Sequence, residues 1–285
     1  MKTIWYFYIK YRKMIVFPKA KINLGLRVTR KRPDGYHDIE TLFYPVGLSD
    51  ALEFVVSAEP VKKDFLTITG ISSGDDPENN LVIKTVRKLR EKYSFPSLKI
   101  HLHKVIPIGA GLGGGSSDAA SLLKAVNRFF GLLIDEKNLK DTALELGSDC
   151  PFFIDDIPSF ASGRGELLKP IKPVLSGYYI LLLNPGVGII TAEAFQNCRP
   201  ENPSNSLFQL VDRPINEWKE LIINDFEDFA FKKHPLIGEM KKELYRSGAL
   251  FSSMSGSGSS VYGIFSEKSK LPGKLKKFVI YEGMM

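Results

Sequence analysis

Between Ile106 and Leu123 the chain reads IPIGAGLGGGSSDAASLL, and five of the seven residues from Gly109 to Gly115 are glycine. No regular element holds such a run cheaply, because glycine inside a helix or strand costs roughly 0.5–1 kcal/mol against alanine. The run suits a backbone that must approach something closely in unusual dihedral angles. Ser116, Ser117 and Asp118 then suit a helix start. Ala119, Ala120, Leu122, Leu123, Val126, Phe129 and Phe130 follow at helical spacing, up to a stop at Gly131. A glycine loop feeding a helix N-terminus gathers unpaired N–H groups at the positive end of the helix dipole, an anion site suited above all to phosphate.

The loop is not a P-loop, since no Gly-Lys-Ser/Thr closes it. It holds a formal G-x-G-x-x-G at Gly109, Gly111 and Gly114, with Asp135 about 20 residues on, as a dinucleotide site would. The strand before it speaks against that reading. SLKIHLHKVIP alternates Leu98, Ile100 and Leu102 with Lys99, His101 and His103, whereas a dinucleotide site follows a buried parallel strand, which is apolar throughout. A flexible linker would not carry an apolar helix directly behind it.

Other chemistry-bearing side chains are placed by the elements around them. Residues 15–28, IVFPKAKINLGLRV, alternate as a strand, with Ala20, Ile22, Leu24, Leu26 and Val28 on one face. Lys21 and Asn23 therefore share the other face, which by pattern alone is a solvated one. Pro33-Asp34-Gly35 marks a turn, followed by Tyr36 and His37. DFLTITG at 64–70 reads as a strand, and Asn79 or Asn80 caps a helix LVIKTVRKLREKYS. Asp135 caps a helix that Gly147 ends, which leaves Asp149 just past a helix C-terminus, where the dipole does nothing for a carboxylate. ASGRGELLKPI at 161–171 is a glycine turn entering new strands, and the domain boundary is expected there. Thr191 is expected to cap a helix carrying Phe195. Residues 196–215, rich in Asn, Pro and Ser, read as a long loop or lid. Helices follow around 216–223, 225–232 and 235–247. A second glycine-serine loop, SSMSGSGSS at 252–260, joins two apolar strands.

Composition bounds the function. The 285 residues are 44% hydrophobic and 25% charged, as a packed globular protein is. No apolar run reaches the roughly 18–20 residues that span a bilayer. Cys150 and Cys198 are too few for a disulfide framework and lack metal-ligand spacing, which fits a reducing, cytoplasmic compartment. The net charge of +7 includes Lys2, Lys10, Arg12 and Lys13, and falls to +3 once these four are set aside. So mild a balance predicts no nucleic-acid partner. Residues 1–13 form an extension without signal-peptide features, expected to be disordered or to precede the natural start at Met14.

Three stretches in this order resemble the GHMP kinase superfamily: PKAKINLGL at 18–26, PIGAGLGGGSSDAA at 107–120 and SSMSGSGSSVYGIF at 252–265. RPDGYHDIETLF at 32–43, LGSDCPFF at 146–153 and NPGVGIITAEAF at 184–195 resemble its branch acting on a cytidyl-linked polyol. The match spans about residues 15–285. It implies a two-domain α+β fold, with an ATP-binding N-terminal domain at 14–160 like the second domain of ribosomal protein S5. The C-terminal domain, 161–285, would be ferredoxin-like, with ATP and substrate in the cleft between them. Residue by residue, Asp149 falls on the family's catalytic base and Lys21 on its catalytic lysine. Pro107, Gly109, Ala110, Gly111, Leu112, Gly113, Gly114, Gly115, Ser116 and Ser117 fall on the ATP phosphate loop. Tyr36 and Phe195 fall on the pair stacking either face of the cytosine, His37 on the residue reading its edge, and Asn23, Asp149 and Thr191 on the substrate pocket. ATP and Mg2+ are the implied cofactors, with no magnesium ligand assigned beyond Ser117 as a candidate. No membrane partner is implied, and the protein is expected as a monomer or homodimer. Ser148 and Ser257 depart from a common Ala and Thr without removing a catalytic group. The competing readings are a homoserine or mevalonate type of GHMP kinase and a nucleotide-binding protein without catalysis.

Overall fold

The computed structural model describes residues 13–57, 63–71 and 76–285. The extension lies outside the described residues as far as residue 12, and Lys13 opens the first strand. In chain order the elements begin β1 (Lys13–Val16), β2 (Lys19–Lys31), β3 (His37–Ser49), β4 (Ala51–Val56), β5 (Phe65–Gly70), α1 (Leu81–Arg90) and β6 (Leu98–Lys104). Then come α2 (Gly114–Phe130), α3 (Glu136–Leu146), α4 (Phe152–Asp155), β7 (Ser159–Ser162), β8 (Leu167–Pro170) and β9 (Tyr179–Leu183). The last part holds α5 (Thr191–Gln196), α6 (Leu207–Leu210), α7 (Trp218–Leu221), α8 (Glu227–Lys233), α9 (Pro235–Arg246), β10 (Phe251–Met254), β11 (Val261–Phe265), α10 (Gly273–Lys276) and β12 (Val279–Met284).

The chain packs as two compact units that interleave along the sequence. The first holds the residues up to Ala20, Leu48–Ile106 and Gly114–Asp156; the second holds Lys21–Gly47, Pro107–Gly113 and Ile157–Met285. Sequence reading draws one cut near 160. Strand pairing distributes the chain differently: Thr41 of β3 sits opposite Ala161 of β7, so β2 and β3 join β7 and β8 in one sheet, in the order β2-β3-β7-β8.

In the first unit the sheet order is β1-β4-β6-β5. β6 alternates strictly, with Leu98, Ile100, Leu102 and Lys104 inward and Lys99, His101 and His103 outward. Asn80 caps α1 by accepting the amide of Val82 (2.9 Å), and Asp135 caps α3 by accepting that of Asn138 (2.8 Å). α2 starts at Gly114, two residues before the expected serines, which leaves Ser116 and Ser117 inside its first turn.

In the second unit β9–β12 form an antiparallel sheet in the order β10-β11-β9-β12. Helices lie between β9 and β10 and again between β11 and β12, which is the ferredoxin-like βαββαβ arrangement. All five residues of β9 are buried. Two of them, Leu181 and Leu183, share a core with Ile237, Met240, Leu244, Met254 and Val261. The segment expected as a loop or lid contains α6, opened by a capping box of Ser206 and Gln209. Glu40 of β3 accepts from the Ser206 hydroxyl (2.9 Å) and the Leu207 amide (3.1 Å), which pins that segment in place.

Candidate active site

Lys21 is buried to 3% exposure and Asn23 to 2%. The face that alternation assigns to solvent is therefore an interior one, and interior polar groups need partners. The Lys21 ammonium donates to Asn23 Oδ1 at 2.5 Å and to the Gly111 carbonyl at 3.2 Å, and lies 4.9 Å from the centroid of the Phe43 ring. Its main-chain amide donates to the Leu112 carbonyl at 3.0 Å. Asn23 Nδ2 donates to Thr41 Oγ1 (2.8 Å), and that hydroxyl donates to the Gly25 carbonyl (2.6 Å). Lys21 thus stands against the predicted phosphate loop, and Asn23, two residues on along the same face, holds its ammonium there.

The two glycine loops meet. The Ser255 hydroxyl donates to the Gly111 carbonyl at 2.8 Å, and the Ser260 amide donates to the Ala110 carbonyl at 3.1 Å. Gly111 has φ +77° and faces the Ser255 carbonyl so closely that a Cβ there would run into it. The second loop is a hairpin between β10 and β11, and it is also a wall for the first. Asn224, which sequence reading passed over, holds it: its amide donates to the carbonyls of Met254 (2.9 Å) and Gly256 (2.8 Å) and its oxygen accepts the Phe226 amide (3.0 Å). The Tyr262 hydroxyl donates to the Asn23 carbonyl at 2.8 Å, and burial pushes that phenol well above its usual range. A lone Asn between two helices and a Tyr in an apolar strand give no signal in one sequence.

The aromatic residues gather in the same unit. His37 and Phe195 stack with ring centroids 4.8 Å apart and 14° between planes, and Phe195 meets Phe226 edge-on at 4.9 Å. Tyr36 is exposed, with the Arg164 guanidinium 4.9 Å from its ring centroid. Phe195 thus carries His37 on one face, where an open stacking face was expected. Thr191 is the first residue of α5 and caps nothing; Ile190 holds the cap position without a side-chain bond. The Thr191 hydroxyl instead meets that of Ser257 at 2.9 Å, which corrects its expected role as a cap.

Asp149 belongs to the first unit, in the turn after α3, where it is half-buried. The neighbouring Cys150 is buried, and its thiol is pushed up to about 12 by that burial, against a hydrogen bond from Ser116 and with the charge of Asp149 adding to the rise. So high a value makes it inert at neutral pH. Ser117 Oγ is buried and has no hydrogen-bond partner among the described residues. No group of three or more His, Cys, Asp or Glu side chains forms a metal nest among the described residues. No helix among them is long and apolar enough to cross a membrane.

Residues 80–164 match the GHMP kinases N terminal domain and residues 207–278 the GHMP kinases C terminal. A protein of Bacteroides thetaiotaomicron named 4-diphosphocytidyl-2-C-methyl-D-erythritol kinase is 53% identical over 259 residues, 91% of this chain and 94% of that protein. Its namesake in Parabacteroides distasonis is 50% identical, covering 88% of this chain and 92% of that one. A crystal structure titled 4-(cytidine 5'-diphospho)-2C-methyl-D-erythritol kinase is similar with a TM-score of 0.70 and 31% identity, over 88% of this chain and 90% of its own. Homoserine kinase from Cytophaga hutchinsonii, at TM-score 0.66 and 20% identity over 90% and 86%, shares the fold.

Proposed function

The chain belongs to the GHMP kinase family, and from that premise we propose that it transfers the γ-phosphoryl group of ATP to the 2-hydroxyl of 4-diphosphocytidyl-2-C-methyl-D-erythritol, in non-mevalonate isoprenoid precursor synthesis. The observation that carries the acceptor is identity of about half along nine-tenths of the chain to kinases named for it. The homoserine and mevalonate kinases share far less sequence, at 20% and 15%.

Phosphoryl transfer asks a protein chiefly for positioning and for stabilisation of charge. Holding both reactants in line supplies up to about 7–11 kcal/mol of the barrier. In this reading the amides of residues 108–115 and the N-terminus of α2 hold the triphosphate. Lys21, a compact cation fixed by Asn23 and Gly111, neutralises charge at the transferring group. Asp149 takes the proton of the attacking hydroxyl, which leaves the acceptor oxygen bonded to phosphorus and ADP as leaving group. Such a base contributes roughly 10²–10⁴-fold. Mg2+ would come with the triphosphate and neutralise its developing charge. Ser117, with its unpartnered hydroxyl in the first turn of α2, is the group here that would hold it.

Tyr36 and Phe195 stack the cytosine, and Asn23 and Thr191 line the rest of the acceptor's site. The exposed ring of Tyr36 suits this role. Since His37 lies on Phe195, base binding moves it from that face to the edge of the ring it reads. The enzyme works in the cytoplasm, as a monomer or homodimer; its two thiols, both unbridged, fit a reducing compartment.

The test is ATP turnover by purified protein with three acceptors: the cytidyl substrate, mevalonate and homoserine. Turnover with the first alone is expected. Turnover with mevalonate or homoserine and none with the cytidyl substrate rejects the assignment.

A further inference from the structure

Lys104 lies on the inward face of β6, in phase with Leu98, Ile100 and Leu102, and is 6% exposed. A lysine is rarely so buried unless it is paired. Its ammonium donates to Asp50 Oδ2 and, at 2.8 Å, to Asp118 Oδ2; both carboxylates are buried. The other oxygen of Asp50 accepts the main-chain amides of Val105 (2.5 Å) and Ile106 (2.9 Å). Val105 and Ile106 are the last two residues before Pro107, where the glycine stretch starts. Asp118 is in the first turn of α2, where that stretch ends. One buried ammonium and two carboxylates therefore fasten both ends of the loop to each other.

Gly114 completes this arrangement. A Cβ at that position would come within 2.9 Å of Ile106 Cγ2 and 3.2 Å of Lys104 Nζ. The absence of a side chain there lets the lysine cross beneath the helix start.

We propose that Lys104, with Asp50 and Asp118, is a positioning cluster that fixes the separation of the two ends of the phosphate loop and so aims its amides at ATP. This rests on the reading of residues 107–115 as the ATP phosphate cradle. In this role the three residues act through the loop. A glycine-rich loop loses much conformational freedom when it closes on a ligand. Fixing its ends beforehand removes part of that loss from the binding step, which is preorganisation. A buried ion cluster gives little net stability, since desolvation offsets the attraction between its charges. Geometry is what such a cluster offers here.

The experiment compares Lys104→Met with the triple variant Asp50→Asn/Lys104→Met/Asp118→Asn. The first keeps the side-chain bulk and strands two carboxylates, so it tests the tie at the risk of misfolding. The second removes all three charges together and leaves their shapes. For the triple variant, folded by circular dichroism and with a melting temperature close to wild type, KM for ATP is expected to rise about tenfold, with KM for the cytidyl substrate within about twofold. A dissociation constant for a fluorescent ATP analogue should weaken in parallel. Should both variants fail to fold, Asp118→Asn alone carries the test, with a rise of about threefold in KM for ATP expected. Unchanged KM for ATP in a folded variant overturns the proposal and leaves the cluster a structural one. Gly111→Ala separates the two levels: if it too leaves ATP binding unchanged, the reading of the loop has failed, and if it alone weakens ATP binding, only the cluster's role has.

Discussion

The ammonium of Lys21 donates to the carbonyl of Gly111, 90 residues further on, at 3.2 Å. That bond places a fixed cation on the glycine loop from a strand far away in sequence. It also explains why Lys21 is buried on a face whose pattern is that of a surface. Lys21→Met removes the cation and keeps most of the stem. Loss of such a preorganised charge typically costs about 10²–10³ in kcat. Steady-state kinetics should show that drop with the fold retained, because Ser255 still serves the Gly111 carbonyl. A variant with near wild-type kcat would remove Lys21 from the chemistry.

Asp149→Asn keeps the shape of the side chain and removes its basicity. The expected result is a fall of roughly 10²–10⁴ in kcat with ATP binding intact by titration. A protein that binds nucleotide without catalysis would show no such split.

Phe195→Ala should weaken the acceptor and spare ATP. Base–aromatic stacking is worth roughly 1–3 kcal/mol, so KM for the cytidyl substrate should rise about 5- to 150-fold. Tyr36→Ala should do the same. Unchanged KM in both would place the cytosine elsewhere.

Asn224→Ala removes two donors and an acceptor from the second glycine loop in one step. Leaving buried carbonyls unsatisfied costs about 1–3 kcal/mol, which differential scanning calorimetry should read as a melting temperature lower by several degrees. An unchanged transition would mean that water replaces the amide at no cost.

The carboxyl of Asp118 is raised to about 7 because burial disfavours its charge, with the Asp50 charge adding and the Lys104 charge opposing. Its unfolded value is near 3.8. The folded state therefore binds the proton more tightly, so this group's contribution to stability is whole below the unfolded value and is lost as pH rises towards about 7. Between about pH 4 and about pH 8, wild-type melting temperature should fall relative to that of Asp118→Asn, which has no such proton to lose. Parallel curves would contradict this.

Much of the site is legible in the sequence because it is local. The glycine run, the caps at Asn80 and Asp135 and the alternation of β6 follow from short-range rules, and all stand in the structure. What pattern misreads is a face covered by distant chain. Lys21 and Asn23 have the period of surface residues, yet residues 111–112 and 255 cover them. Thr191 has the type and place of a cap, but the second loop offers its hydroxyl a partner and the helix starts without it. Lys104 does leave a trace, since it stands in phase with three apolar residues. Reading that trace needs Asp50 and Asp118, which lie 54 and 14 residues away.

The product itself decides the central claim. Incubated with ATP and 4-diphosphocytidyl-2-C-methyl-D-erythritol, the protein should yield ADP and one new phosphomonoester, which phosphorus NMR with proton correlation assigns to the 2-hydroxyl. A phosphate on another hydroxyl, or ADP formed no faster with the substrate than without it, would contradict the account.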